Sequence, residues 1–188
     1  MAGWHGTGKV LAAGGTVELT SWEADVGAQL LRIFLLGDDS KTANRLELGA
    51  GGGLVGLAIA LALGQSSNAH IEITDQIQLH SLMEHNIKVN HIASEFVSAS
   101  VLDWGEASIH KQPDVLLAAD CVYFEPAFPL LLQTMKQLIG GNTVCYFCFK
   151  KRRNADLHFV KDLRKSFRVE DVMDDPDRGI WSRERLFL

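Results

Sequence analysis

The sequence has no run of about 18 consecutive apolar residues, so no membrane-spanning helix is expected. Its start, "MAGWHGTGKV", lacks the basic-then-apolar pattern of a secretory signal. There are only three cysteines, an odd count that speaks against a disulfide framework and for a reducing compartment. No excess of basic residues is present. The formal net charge is −5, where a duplex-binding protein is more often basic, so no nucleic-acid partner is expected. The seven histidines are scattered, none at metal-ligand spacing with another ligand, and internal repeats and low-complexity tracts are absent. These absences lead to the expectation of a cytoplasmic protein without membrane or metal, working as a monomer.

What is present is a chain of 188 residues, 47% hydrophobic, long enough for one domain with a sizeable core. Residues 1–19 are Gly-rich and weakly patterned and read as a short leading segment, with one domain over 20–188. In "TSWEADVGAQLLRIFLL", Thr20 and Glu23 fit a capping box, and Trp22, Val26, Ile33 and Phe34 share one helical face. From there strand-like and helix-like segments alternate. The expected strands are "RLELGA", "HIEITD", "FVSASVLDW", "DVLLAADCV", "TVCYFCFK", "RVEDVM" and "RERLFL". Between them lie helix-length segments at 51–64 (opening on a Gly turn), 77–90, 128–141 (ending in a Gly-Gly stop) and 155–167. This predicts an α/β fold with a mostly parallel, Rossmann-like seven-stranded sheet, helices on both faces and an antiparallel pair at the end of the chain. Cys145 and Cys148 are three apart on one strand and so point to opposite faces, which reads as two core cysteines and not a metal pair. The basic run "KKRR" at 150–153 reads as a solvated loop and helix start.

Two features carry chemistry. "ELGAGGGLVG" places Gly49, Gly51 and Gly53 where a strand becomes a helix, in the spacing acid-x-Gly-x-Gly-x-Gly beginning at Glu47. Bare backbone there lets a ligand approach the amides of the helix start. Asp75 ends the next strand, beside that loop if the sheet is open and parallel, where it can accept both hydroxyls of a ribose. The bland reading of Asp75 is a helix N-cap. "LDWG" adds Asp103 and Trp104, an acid for an exocyclic amine and an indole for an adenine ring, or else simply an aromatic at a strand end. A dinucleotide and S-adenosyl-L-methionine both suit such a loop. Position 54 is Leu where a dinucleotide signature needs Gly, and the terminal strand pair is foreign to the usual dinucleotide sheet, which favours the methyl donor. The second feature is "LLAADCVYFEPAF", an apolar strand that ends in Asp120 with Tyr123 three residues on.

Taken in order and at these spacings, "RLELGAGGGLVGL", "ITD", "LDWG" and "LLAADCVYFEPAFP" resemble the seven-strand, S-adenosylmethionine-dependent protein-lysine methyltransferases that modify folded non-histone proteins. The likeness runs from about residue 20 to the end, and "DCVYFEPAFP" is most similar to the fungal enzymes acting on translation elongation factor 1-alpha. The resemblance implies cofactor contacts at Trp22, Gly49, Ala50, Gly51, Asp75, Trp104 and Ala119, beside the candidates Glu47 and Asp103 read from the residues themselves, with Asp120 and Tyr123 at the methyl-transfer point. That family usually has a longer segment, often with extra strands, ahead of the Trp22 helix; here 21 residues precede it. On charge grounds Asp120 is expected to receive and orient the substrate lysine, not to act as its base, because a carboxylate favours the ammonium form. Tyr123 is expected to line the channel by ring contact with that cation. Other acceptors (a histidine, another protein, a nucleic acid, a small molecule) and a non-catalytic cofactor-binding module are the competing readings.

Overall fold

The computed structural model describes residues 8–12, 15–19, 42–64, 69–106, 110–171 and 186–187. The expected helix carrying Trp22 lies outside these residues, and so does most of the "RERLFL" strand.

Eight strands and four helices are described. β1 (Gly8–Ala12) and β2 (Gly15–Leu19) form an antiparallel pair, with Gly8 opposite Leu19 and Ala12 opposite Gly15. The sequence reading had no element here. Five-residue strands with two residues between them present too short an alternation to stand out.

The main sheet contains β3 (Asn44–Leu48), β4 (His70–Asp75), β5 (Val97–Val101), β6 (Val115–Ala119), β7 (Val144–Lys150) and β8 (Leu186–Phe187), in the order β5-β4-β3-β6-β7-β8. All neighbours are parallel except β7 and β8. The helices are α1 (Leu54–Leu63), α2 (Ile77–Val89), α3 (Phe128–Leu138) and α4 (Asn154–Ser166). The seven-strand expectation becomes six strands among the described residues. Residues 168–171, expected as strand, are irregular, so the expected hairpin partner of the last strand is not seen there, while the antiparallel setting of the last strand is.

Alternation along each strand sorts the core into two layers. Ile71, Ile73, Val115, Leu117 and Cys148 pack with Leu57, Met83 and Ile87 of α1 and α2. Leu46, Leu48, Leu116, Ala118 and Phe149 pack on the other face with Leu131, Met135, Phe159 and Leu163 of α3 and α4. β3 and β6 are covered on both sides, which is why they read as nearly unbroken apolar runs. Each such fully buried Leu or Ile contributes about 1.5–3 kcal/mol. Cys145 packs against the second layer and Cys148 belongs to the first, as strand alternation requires. Burial pushes the Cys145 thiol up to about 12 and raises Cys148 further.

This order has one consequence for function. The chain leaves β3 toward β4 on one side, and β6 returns to the other side of β3. The crevice outside the carboxyl ends of β3 and β6 is the topological switch point, where open α/β sheets bind ligands.

Candidate active site

The glycine loop fills one wall of that crevice. Gly49, Gly51 and Gly53 have φ of +65°, +57° and +84°, so the every-second-residue spacing matches an alternation of left-handed backbone. Two of them have no room for a side chain either. A Cβ on Gly49 would lie 2.9 Å from Trp104 Cζ2, and one on Gly53 would lie 2.6 Å from Ile73 Cδ1. Leu54 begins α1, which is why no glycine stands there.

Four hydrogen bonds hold the loop from below and beside. The Ala50 amide donates to the Thr74 carbonyl (2.9 Å) and the Gly51 amide to Asp75 Oδ2 (2.8 Å). Asn86 Nδ2 on α2 donates to the Gly52 carbonyl, and the Gly56 amide donates to Glu47 Oε2, both at 2.8 Å. Glu47 is thus turned into the start of α1 and only 2% exposed. The acid-x-Gly spacing makes Glu47 a candidate cofactor contact; the structure shows its carboxylate accepting the Gly56 amide, as a support for α1. Asn86, placed in the sequence only on a helical stripe, turns out to be a second support.

Asp75 ends β4 beside Gly51, as expected. Its Oδ1 accepts the Gln76 amide (2.7 Å), so each oxygen holds one backbone N–H and keeps a further lone pair for a ligand. Burial holds its carboxyl above the ordinary range. The two amides pull it down, and the nearby Asp103 charge adds to the rise. Asp103 and Trp104 follow β5. The Gly105 amide donates to Thr134 Oγ1 on α3 (2.8 Å), fixing that turn, and the Trp104 ring edge packs against Gly49. Ile77, two residues past Asp75, leaves 60% of its surface exposed at the start of α2, an apolar surface the sequence reading did not single out.

The opposite wall is the end of β6. Ala119 is its last residue. Asp120 has φ +56°, in the left-handed region, and its amide donates to the Cys148 carbonyl (2.7 Å). Cys121 then turns inward, donating from Sγ to the Leu48 carbonyl (3.1 Å) and lying next to Gly49. Burial, then the charges of Asp75 and Asp120, keep its thiol well above its ordinary value. Tyr123 and Phe124 are each 56% exposed on the lip. Trp22, expected among the cofactor contacts, lies outside the described residues.

The feature sequence reasoning missed is Arg152. Its Nη1 donates to Asp120 Oδ1 (2.8 Å) and its Nη2 to Oδ2 (2.6 Å), a two-pronged ion pair in which Asp120 is 9% and Arg152 33% exposed. Arg152 Nη1 also reaches the Lys150 carbonyl, tying the ends of β6 and β7 together. Asp156 at the start of α4, fully buried, accepts the amides of both Arg152 and Arg153 at 2.7 Å. Arg153 Nη2 in turn donates to the Tyr123 carbonyl. The signal was the "KKRR" run; its partner was hidden because it lies 32 residues away. Asp120 raises the guanidinium above its usual range. No cluster of metal-binding side chains occurs among the described residues, and no helix among them is long and apolar enough to cross a membrane.

A family model described as lysine methyltransferase matches residues 14–166. The chain belongs to that family. Among its relatives, the zebrafish (Danio rerio) protein N-lysine methyltransferase METTL21A is 38% identical over 85% of this chain and 72% of its own length. The Saccharomyces cerevisiae protein-lysine N-methyltransferase EFM6 is 35% identical over 76% of this chain and 64% of its own. The mouse (Mus musculus) EEF1A lysine methyltransferase 3 is 34% identical over 72% and 58%. The chain therefore spans roughly three fifths to three quarters of the length of these relatives. Fibrillarin from Aeropyrum pernix, solved with bound S-adenosyl-L-methionine, superposes with a TM-score of 0.59 over 97% of this chain and 82% of its own, at 14% identity. That likeness is one of fold.

Proposed function

We propose that the protein transfers a methyl group from S-adenosyl-L-methionine to the side-chain amine of a lysine in a folded protein, with translation elongation factor 1-alpha as the acceptor. The observation that carries this is the meeting, at one switch point, of the bare Gly49–Gly53 loop with Asp75 on one wall and Asp120 with Tyr123 on the other.

The residues suit an adenosine-bearing methyl donor. Asp75 keeps lone pairs for two ribose hydroxyls beside the Gly51 amide. Asp103 offers a carboxylate for the adenine amine, and Ile77 and Trp104 offer apolar surface for its ring. Gly49, Ala50, Gly51 and Ala119 offer backbone to the rest of the donor. When bound, the donor supplies an electrophilic methyl on a sulfonium. The protein's own contribution is alignment of the acceptor nitrogen with it. A lysine ammonium has an ordinary pKa of about 10.4, so presenting it as a free amine at pH 7 costs about 4.6 kcal/mol unless the site lowers that value. Tyr123 and Phe124 form an exposed aromatic lip where a lysine stem can lie. Asp120 is not a vacant carboxylate: both oxygens are held by Arg152.

The choice of elongation factor 1-alpha is supported by the name of the mouse relative, and by the similarity of "DCVYFEPAFP" to fungal enzymes of that kind. The test is incubation of the full chain with labelled S-adenosyl-L-methionine and unmethylated elongation factor 1-alpha, and separately with cell extract. Label on a lysine of elongation factor 1-alpha is the expected result. Label on another protein overturns the acceptor, and label in nucleic acid overturns the class of substrate.

A further inference from the structure

The Arg152–Asp120 pair changes what the acceptor side of the site offers to a lysine. We propose that Arg152 cancels the charge of Asp120 where the acceptor enters, so that the substrate lysine meets a neutral ion pair and is presented as a free amine. This rests on the lysine-methyltransferase reading of the site and adds a positioning residue to it.

The geometry carries the argument. A lone carboxylate beside the acceptor would hold it as an ammonium, which has no lone pair. Transfer needs that pair: the nitrogen forms the new bond to the methyl carbon, the carbon–sulfur bond breaks with its electrons returning to sulfur, and the ammonium proton has gone to water beforehand. Arg152 removes the conflict. Its two prongs match both oxygens of Asp120, which is 9% exposed, so little of the carboxylate is left uncompensated. The arginine is placed from several sides. Its backbone amide is held by buried Asp156 of α4, and its Nη1 also bonds the Lys150 carbonyl at the end of β7. The Lys150 amide leans on Asp120 Oδ1 from the same strand (3.4 Å).

Among the described residues, the other charged and titratable groups around the pair do not replace this function. Asp156 is committed to the amides of Arg152 and Arg153. Arg153 reaches toward Asp156 Oδ1 (3.6 Å) and bonds the Tyr123 carbonyl. Lys150 and Lys151 add positive charge at the β7 end, and Glu125 is exposed beyond Tyr123. The thiols of Cys121 and Cys148, behind Asp120, stay neutral.

The experiment compares the unaltered chain with Arg152→Gln and Arg152→Lys, using unmethylated elongation factor 1-alpha and labelled S-adenosyl-L-methionine, from pH 6.5 to 10. Arg152→Gln exposes the Asp120 charge. Its kcat–pH curve is expected to move about one unit to higher pH, about tenfold less activity at pH 7, converging with the unaltered chain at high pH. Its KM for the protein is expected to fall at pH 7, because the bare carboxylate attracts the ammonium. Arg152→Lys is expected to restore most of the shift, and affinity for S-adenosyl-L-methionine, read by calorimetry, is expected to be equal in all three. A uniform loss of kcat at every pH with an unmoved curve would mean a brace only and overturns the proposal. A gain in kcat at pH 7 for Arg152→Gln would mean that Arg152 merely occupies the lysine's place, and also overturns it. If the unaltered chain labels no lysine in any protein, the function reading fails and the inference falls with it.

Discussion

Asn86 of α2 donates its side-chain amide to the carbonyl of Gly52 at 2.8 Å, across 34 residues of sequence. Both partners are buried, and this bond pins the glycine loop to a helix that packs on β4 and β5. Replacing Asn86 by Leu keeps the branched outline of the side chain, adds some volume and leaves the Gly52 carbonyl without this donor. The expected cost is about 1–3 kcal/mol of stability by urea denaturation, with weaker binding of S-adenosyl-L-methionine by calorimetry. Unchanged affinity would show that the loop keeps its shape without α2.

Gly53→Ala tests the backbone of the same loop. It sets a methyl 2.6 Å from Ile73 Cδ1 at a φ of +84°, so strain and clash add. A loss of at least about 2 kcal/mol is expected. Gly64→Ala has open space around it, but a φ of +74° with ψ of 155°, a region essentially confined to glycine. Its cost is expected from the backbone alone, about 1–3 kcal/mol. Thermal melts of the two variants check both losses.

Asp75 gives a pH dependence with a definite sign. Burial raises its folded-state carboxyl above the ordinary 3.8, so the folded chain holds this proton more tightly than the unfolded one. Its contribution to stability is full below that ordinary value and declines as pH rises through the raised one. Without the methyl donor, the stability advantage of the unaltered chain over Asp75→Asn should therefore shrink from pH 4 toward pH 7 in denaturant titrations. Calorimetry of Asp75→Asn should show much weaker donor binding at all pH values. An advantage that grows with pH would contradict the desolvated setting.

The three thiols are predicted to be inert in the folded chain. Cys121 and Cys148 are buried, and the Cys145 thiol is pushed up to about 12. Thiol-reactive dye at pH 8 should label none of them within minutes, and all three after unfolding in guanidinium. Fast labelling of Cys121 would mean that the contact between its side chain and the glycine loop opens readily.

Much of this was legible because it is local. A Gly-x-Gly-x-Gly turn between an apolar strand and an apolar helix, followed by a parallel strand ending in Asp75, brings the acid beside the loop, and the Gly51–Asp75 hydrogen bond joins them there. The opposite faces of Cys145 and Cys148 follow from strand geometry alone. What stayed hidden depends on contacts between distant segments. Arg152 finds Asp120 only because β7 lies beside β6, and "KKRR" by itself carries no sign of a partner. Glu47 looked like part of a ligand signature, yet strand alternation also allows its side chain to point beneath the loop, and only packing on Gly56 decides. The β1–β2 pair escaped because two five-residue strands give too little periodicity.

Cys121 has a consequence for how such a site can be retuned. Its sulfur lies under Gly49 on one side, and its backbone continues the Asp120 turn on the other. The glycine loop and the turn that ends β6 thus meet on one small buried side chain at the seam of the sheet. A change of volume there, Cys to Ser or Cys to Val, is expected to alter the spacing between the two while leaving the Asp75, Asp120 and Tyr123 side chains themselves unchanged. Reactivity in this architecture can be adjusted by a spacer as well as by its chemical groups.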